Sequence, residues 1–171
     1  RASALLDSLR AGANRGGQSS DADVLRRPQA LSAASCASLR RAVDAKRSVA
    51  KDSVDKAAEH QLNLSEGELS DLIGVEEYER LVSLPQALRE QQQHAGGDGG
   101  ALTPSSYRIE IFVRRYSRES RPWIQFHCDS AAITVNVACS ADDGHVGGRL
   151  ACVIGGELRH LERSEGEATV H

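Results

Sequence analysis

The sequence predicts an α+β protein with helices first and strands after, and three observations carry that prediction. Apolar residues recur at helical spacing between residues 28 and 94. Beyond Thr103 the pattern changes to alternation in a succession of short runs. Between the two regimes lies QQQHAGGDGG, residues 91 to 100, whose glycines end the helical periodicity.

Residues 1–27 come first, and their AGANRGGQSSDAD stretch holds too few large apolar groups to offset the entropy of ordering. This segment is expected to be disordered. In LSAASCASLRRAVDAKRS, Ser32 is a helix N-cap and Cys36, Leu39 and Val43 form a one-sided apolar stripe behind it. SEGELSDLIG opens a second helix with the capping box of Ser65 and Glu68. Leu69, Leu72 and Ile73 give its stripe, and Gly74 stops it. EEYERLVSLPQALREQQQ continues as helix, with a bend expected at Pro85. Residues 28–94 are thus a helical part and residues 91–103 a flexible loop.

Residues 104–171 form the β part. YRIEIFVRRY, WIQFHCD, AITVNVA and GRLACVI read as strands, with turns in ADDGHVGG and IGGE. Such a series of short strands predicts a sandwich or barrel. Tyr107, Phe112, Tyr116, Trp123 and Phe126 lie in the first two runs, so the main core is expected there.

Composition removes some functions. With 21 basic and 24 acidic residues the net charge is −3, and the pI of about 6.1 lacks the electrostatic footprint of a nucleic-acid binder. The tightest basic cluster, Arg114, Arg115, Arg118 and Arg121, reads as a solvated edge. No apolar run approaches the roughly 18 residues of a membrane span. Cys36, Cys128, Cys139 and Cys152 form no C-x-x-C pair and read as small buried hydrophobes. Neither Arg1 nor His171 looks like a natural terminus, so a fragment is expected, and its compartment stays open.

The chemistry lies in HCD. On a strand, residues two apart share a face, so His127 and Asp129 would point one way while Ile124, Phe126 and Cys128 point the other. An imidazole nitrogen beside a carboxylate supplies two thirds of the 2-His-1-carboxylate facial triad that holds Fe(II). The same spacing also fits a structural His–Asp pair, so the motif depends on its surroundings.

Those surroundings are FVRRY, then ten residues, then HCD, then AAITVNVACS, then a turn and GGRL. The order resembles the catalytic domain of iron(II)- and 2-oxoglutarate-dependent dioxygenases of the prolyl 4-hydroxylase and procollagen lysyl hydroxylase type. About forty residues, from Phe112 to Leu150, carry the resemblance, and LSAASCASLRRAV is similar to that family's first helix. The resemblance implies a double-stranded β-helix, or jelly roll, incomplete at the C-terminus, with N-terminal helices packed outside. It implies that His127 and Asp129 bind Fe(II) and that Tyr116 offers its hydroxyl to 2-oxoglutarate. Thr134 and Asn136 would line the cosubstrate pocket, although ordinary cross-strand hydrogen bonding explains that pair equally well. The implied reaction hydroxylates a prolyl or lysyl side chain of a polypeptide as 2-oxoglutarate and O2 become succinate and CO2, with ascorbate maintaining the iron.

The family's second iron-binding His, and the later Lys or Arg for the far carboxylate of 2-oxoglutarate, are expected beyond residue 171. GEATVH is similar to the strand before that His, so His171 is not assigned as a ligand. His145 and His160 are expected to face solvent. Two rival readings remain: a non-catalytic β-sandwich binding module, in which His127 and Asp129 only hydrogen-bond, and a cupin-like jelly roll holding another metal. Cupins usually show H-x-H, which is absent here. Two ligands hold a metal less firmly than three, and a carboxylate without its cation loses a charge-assisted hydrogen bond. These 171 residues alone are therefore expected to bind Fe(II) weakly and to turn nothing over. Near-normal decarboxylation of 2-oxoglutarate, measured as succinate released, would contradict this.

Overall fold

The computed structural model describes residues 23–45, 51, 52, 54–57, 61–95, 108–119, 121–154 and 157–171. The segments 1–22 and 96–103, expected to lack structure, lie outside the described residues, as does Tyr107.

Among the described residues ten elements follow in order: β1 (Leu25–Arg27), α1 (Ala33–Ala45), β2 (Gln61–Leu64), α2 (Glu66–Ile73), α3 (Val75–His94), β3 (Ile111–Arg114), β4 (Val135–Val137), β5 (Leu150–Ile154), β6 (Glu157–Leu161) and β7 (Ala168–Val170). The described residues form a mixed α+β fold of three helices and small antiparallel sheets. β7 is central in the largest sheet, between β1 and β4, while β2 pairs β3 and β5 pairs β6. Among the described residues the strands do not close into a barrel. Nor is any helix among them long and apolar enough to cross a membrane.

The helix starts follow their sequence signals. The Ser32 hydroxyl accepts the Ser35 N–H at 3.2 Å. At α2 the Ser65 hydroxyl accepts the Glu68 N–H, and the Glu68 carboxylate accepts the Ser65 N–H at 2.8 Å, so both halves of the capping box form. Gly74, at φ 85°, separates α2 from α3. α3 runs through Pro85 without ending, and its Leu84 and Leu88 are buried.

Two apolar clusters hold these elements together. The first joins Cys36, Leu39 and Val43 of α1 to Leu62 and Leu64 of β2 and to Leu69 and Ile73 of α2. In the second, Leu84 and Leu88 of α3 pack on Leu25 of β1 and on Ala168 and Val170 of β7. The expectation that the strands hold the main core through their aromatics is therefore corrected. Phe112, Tyr116, Trp123 and Phe126 are all exposed, Trp123 at 67%. β3 turns Ile111 and Val113 toward the first cluster and leaves Phe112 outside, under the Arg114 guanidinium at 4.4 Å. Helices and short strands together fill the interior with leucine, isoleucine, valine and alanine, and Tyr78 of α3 packs at the edge of the first cluster.

WIQFHCD is corrected as well: residues 122–129 belong to no strand, and the expected burial alternation is absent, because His127, Cys128 and Asp129 are all exposed. No sheet neighbour pairs this stretch, so nothing imposes a two-residue period on it. Residues 25–27, counted with the disordered segment, form β1, and β2 and β6 lie in stretches with no strand signal long enough to read.

The arginine cluster is not a solvated edge throughout. Asp52 is fully buried and takes Arg114 Nε at 2.6 Å and Arg121 Nη2 at 2.9 Å, while Asp55 takes Arg121 Nη2 at 2.8 Å. Burial raises the Asp52 carboxyl, but the Val54 N–H, Arg121 and Arg114 outweigh it and hold it below its ordinary value. A depressed folded-state value contributes stability above the ordinary carboxylate range, and that stability is lost as pH falls through it.

Gly166, at φ 79°, precedes β7 where the chain passes Leu31. Its N–H donates to Ala138 O at 2.8 Å, and its carbonyl accepts the Leu31 N–H at 3.1 Å. A Cβ there would stand 2.1 Å from the Leu31 carbonyl oxygen.

Two predictions follow from these contacts. Gly166→Ala combines that backbone clash with a strained φ and is expected to cost about 3 kcal/mol in urea denaturation. Asp52→Asn leaves one buried and one part-buried guanidinium group short of their counter-charge and is expected to cost about 3 kcal/mol at neutral pH. It should also flatten the acid limb of the stability–pH curve.

Candidate functional site: a histidine pair around Asp129

β4 and β7 bring the site together. In the antiparallel ladder Val135 faces Val170, Asn136 faces Thr169 and Val137 faces Ala168. One step further, Thr134 and His171 exchange both backbone hydrogen bonds, at 2.8 and 3.1 Å. Directly opposed residues share a face, so alternation divides the sheet. Ala168 and Val170 pack with Leu84 and Leu88 of α3. Thr134, Asn136, Thr169 and His171 therefore stand on the other face, which is polar throughout.

Asp129 reaches this face from the preceding irregular segment. The Thr134 hydroxyl donates to Asp129 Oδ2 at 2.6 Å, and His171 Nε2 lies 3.4 Å from the same oxygen. The other carboxylate oxygen, Oδ1, lies 3.3 Å from His127 Nε2. Partial desolvation raises the Asp129 carboxyl, but the Thr134 hydrogen bond and the nearby His171 and His127 outweigh it, and the net direction is down.

The orientation of His127 is informative. Its Nδ1 is 2.8 Å from the Gln125 carbonyl oxygen, which can only accept, so Nδ1 carries a proton. In the neutral ring Nε2 then turns a lone pair toward a carboxylate oxygen. A second ring proton relieves that contact, and so does a cation bound by both groups. Donors at right angles on one first-row metal, with bonds of about 2.1 Å, stand about 3.0 Å apart. His127 and Asp129 thus fit a metal as two donors after a small closure. Among the described residues, no three His, Cys, Asp or Glu groups are placed to hold a metal ion together.

The remaining expected site residues lie in different settings. Asn136 shares the polar face, and its side-chain oxygen accepts Arg163 Nη1 at 2.8 Å. The Tyr116 ring lies 5.3 Å from the Arg121 guanidinium, at the Asp52 ion cluster. Desolvation of its hydroxyl, opposed by Arg114 and Arg121, holds the phenol above its ordinary value although the ring is partly exposed. His145 and His160 are exposed, as expected.

Sequence reasoning missed Arg163 and Thr169. Arg163 also donates its backbone N–H to buried Asp142 at 3.0 Å. Thr169 is 1% exposed, and its hydroxyl has no partner. The alternation of GEATVH places Thr169 and His171 on one face.

No family model, no curated protein and no solved structure matches the chain. The site is therefore characterised by its own geometry. Thr134→Val removes the hydroxyl that holds Asp129 and is expected to move the carboxyl titration of Asp129 upward. Carbon-13 NMR of the Asp129 carboxyl measures the shift, and an unchanged midpoint would contradict the role given to Thr134.

Proposed function

We propose that this chain carries part of the active site of an iron(II)- and 2-oxoglutarate-dependent dioxygenase that hydroxylates a prolyl or lysyl side chain of a polypeptide. One observation carries the reading: Nε2 of His127, with Nδ1 committed to a backbone carbonyl, faces the Asp129 carboxylate at 3.3 Å. An imidazole that binds a metal through Nε2 needs this tautomer, with Nδ1–H anchored and the Nε2 lone pair free to donate. Support also comes from the order of motifs, in which H-x-D is followed by a T-x-N strand whose Thr134 holds the same carboxylate.

In this reading His127 and Asp129 are two protein ligands of Fe(II), and a third lies outside the described residues. The polar face of β4 and β7 is the inner wall of a jelly-roll cup, and α3 packs outside it. Bound iron supplies activation of O2 coupled to decarboxylation of 2-oxoglutarate, and ascorbate keeps it ferrous. The chain's own share is positional. Gln125 fixes the His127 ring, Thr134 steadies the carboxylate, and the depressed Asp129 carboxyl stays ionised and available to a cation. Tyr116, Thr134 and Asn136 are the proposed contacts of 2-oxoglutarate. Tyr116 and Asn136 must turn from Arg121 and Arg163 to serve.

A specific observation favours a second reading, in which the cluster is a hydrogen-bonded structural motif of a non-catalytic binding module. The Asp129 oxygens have neighbours in Thr134, His127 and His171 without any metal. Anaerobic titration with Fe(II) separates the two. The dioxygenase reading expects His127→Ala and Asp129→Ala each to weaken binding at least tenfold, on the order of 1.4 kcal/mol. Unchanged affinity in both variants would leave the binding-module reading standing.

A further inference from the structure

Away from Asp129, the helical layer meets the β4–β7 sheet at a pair of thiols. Cys36 lies on the inner face of α1 and is fully buried. Cys139 follows β4 by two residues, is half-buried, and packs against the cluster that contains Cys36. One turn along the same helix face, Arg40 donates to the Cys139 carbonyl and to the Glu165 carboxylate. The guanidinium thus clamps residue 139 over the turn of α1 that begins at Cys36. Both thiols are free, and this contact brings them to the same junction of α1 with the end of β4.

We infer that Cys36 and Cys139 form a disulfide-forming site that cross-links α1 to the end of β4 when the protein meets a small-molecule disulfide. Neither Cys128 nor Cys152 is its partner. Cys128 is exposed between His127 and Asp129, and Cys152 is on β5, so neither joins the contact between α1 and β4.

The exchange runs in two steps with oxidised glutathione as the oxidant. The half-buried Cys139 sulfur, deprotonated, attacks one sulfur of the small disulfide, and the first glutathione thiolate leaves. Cys36 then attacks the Cys139 sulfur of this mixed disulfide and expels the second thiolate. The two protons lost by the cysteines end on the two glutathione thiols. The protein loses two electrons, and glutathione disulfide gains them.

The direction of titration suits the second step. The hydrogen bond with Cys139 lowers Cys36 despite burial, and Arg40 adds to the effect. The same hydrogen bond, and then burial, raise Cys139. The more acidic sulfur is therefore the one that resolves the adduct, and the slow step is the first.

A bond between residues 36 and 139 closes a loop of about a hundred residues, which restricts the unfolded chain far more than the folded one. The test incubates the native chain with oxidised glutathione, alkylates the remaining thiols, digests without reduction and identifies linked peptides by mass. The expected result is one linked pair, containing Cys36 and Cys139 and two hydrogens lighter than the separate peptides. A rise in thermal midpoint that dithiothreitol reverses is expected with it. Cys36→Ser should leave Cys139 with a glutathione adduct that does not resolve, and its midpoint should not rise. The assignment is overturned if both cysteines stay alkylatable in the oxidised native chain, if Cys139 keeps its adduct in the presence of Cys36, or if the linked peptides contain Cys128 or Cys152.

Discussion

Three residues of β7, Ala168, Thr169 and Val170, hydrogen-bond to a strand on each edge, and the rest of the structure depends on that double pairing. β1 comes from the start of the described chain and β4 from its later half, and both are strands of only three residues. A two-stranded ribbon of that length is marginal in water. The central strand makes the sheet possible because Ala168 and Val170 are fully buried against α3, and burial of that face offsets the entropy of closing such distant segments. Gly166 sets the approach, since only a residue without a Cβ lets the chain pass the Leu31 carbonyl.

The same strand decides where chemistry can occur. Two-residue alternation sends Ala168 and Val170 to the helices and Thr169 to the opposite face, where Asn136 lies across from it. Continuing the ladder by one pair sets His171 beside Thr134, and both reach Asp129. A sheet with one greasy and one polar side thus converts a packing requirement into a cluster of donors and acceptors. Asp129 sits outside any strand, and contacts to its side chain hold it there.

Charge is managed differently in the two halves of the molecule. Near β3, buried Asp52 and part-exposed Asp55 neutralise Arg114 and Arg121, so half of the four-arginine cluster is turned inward and consumed in stability. Around Asp129 one carboxylate faces two imidazoles and a hydroxyl, an arrangement that changes with proton or cation supply. Ion pairs that close on themselves have little left to offer a ligand. Groups that share one carboxylate keep coordination sites in reserve, which is why the functional reading rests on Asp129 and not on the arginines.

The helices were legible in the residues because their signals are local: Ser32, the Ser65–Glu68 box and Gly74 act within one turn of chain. The pairing of His127 with Asp129 was legible for the same reason, two residues apart being close in almost any extended backbone. Strand placement was not. WIQFHCD has the composition of a strand but no partner, and QLNL and ELRHL became strands because Ile111–Arg114 and Leu150–Ile154 lie beside them. Whether a short run is a strand is settled by its neighbour, which may be fifty residues away. The sequence by itself determined where the helices start, the α+β class and the proximity of one imidazole to one carboxylate. Only the tertiary structure decided that the core is aliphatic, that Arg114 and Arg121 point inward, and that Thr134 and His171 meet at Asp129, because each of these requires contact between segments that no local pattern encodes.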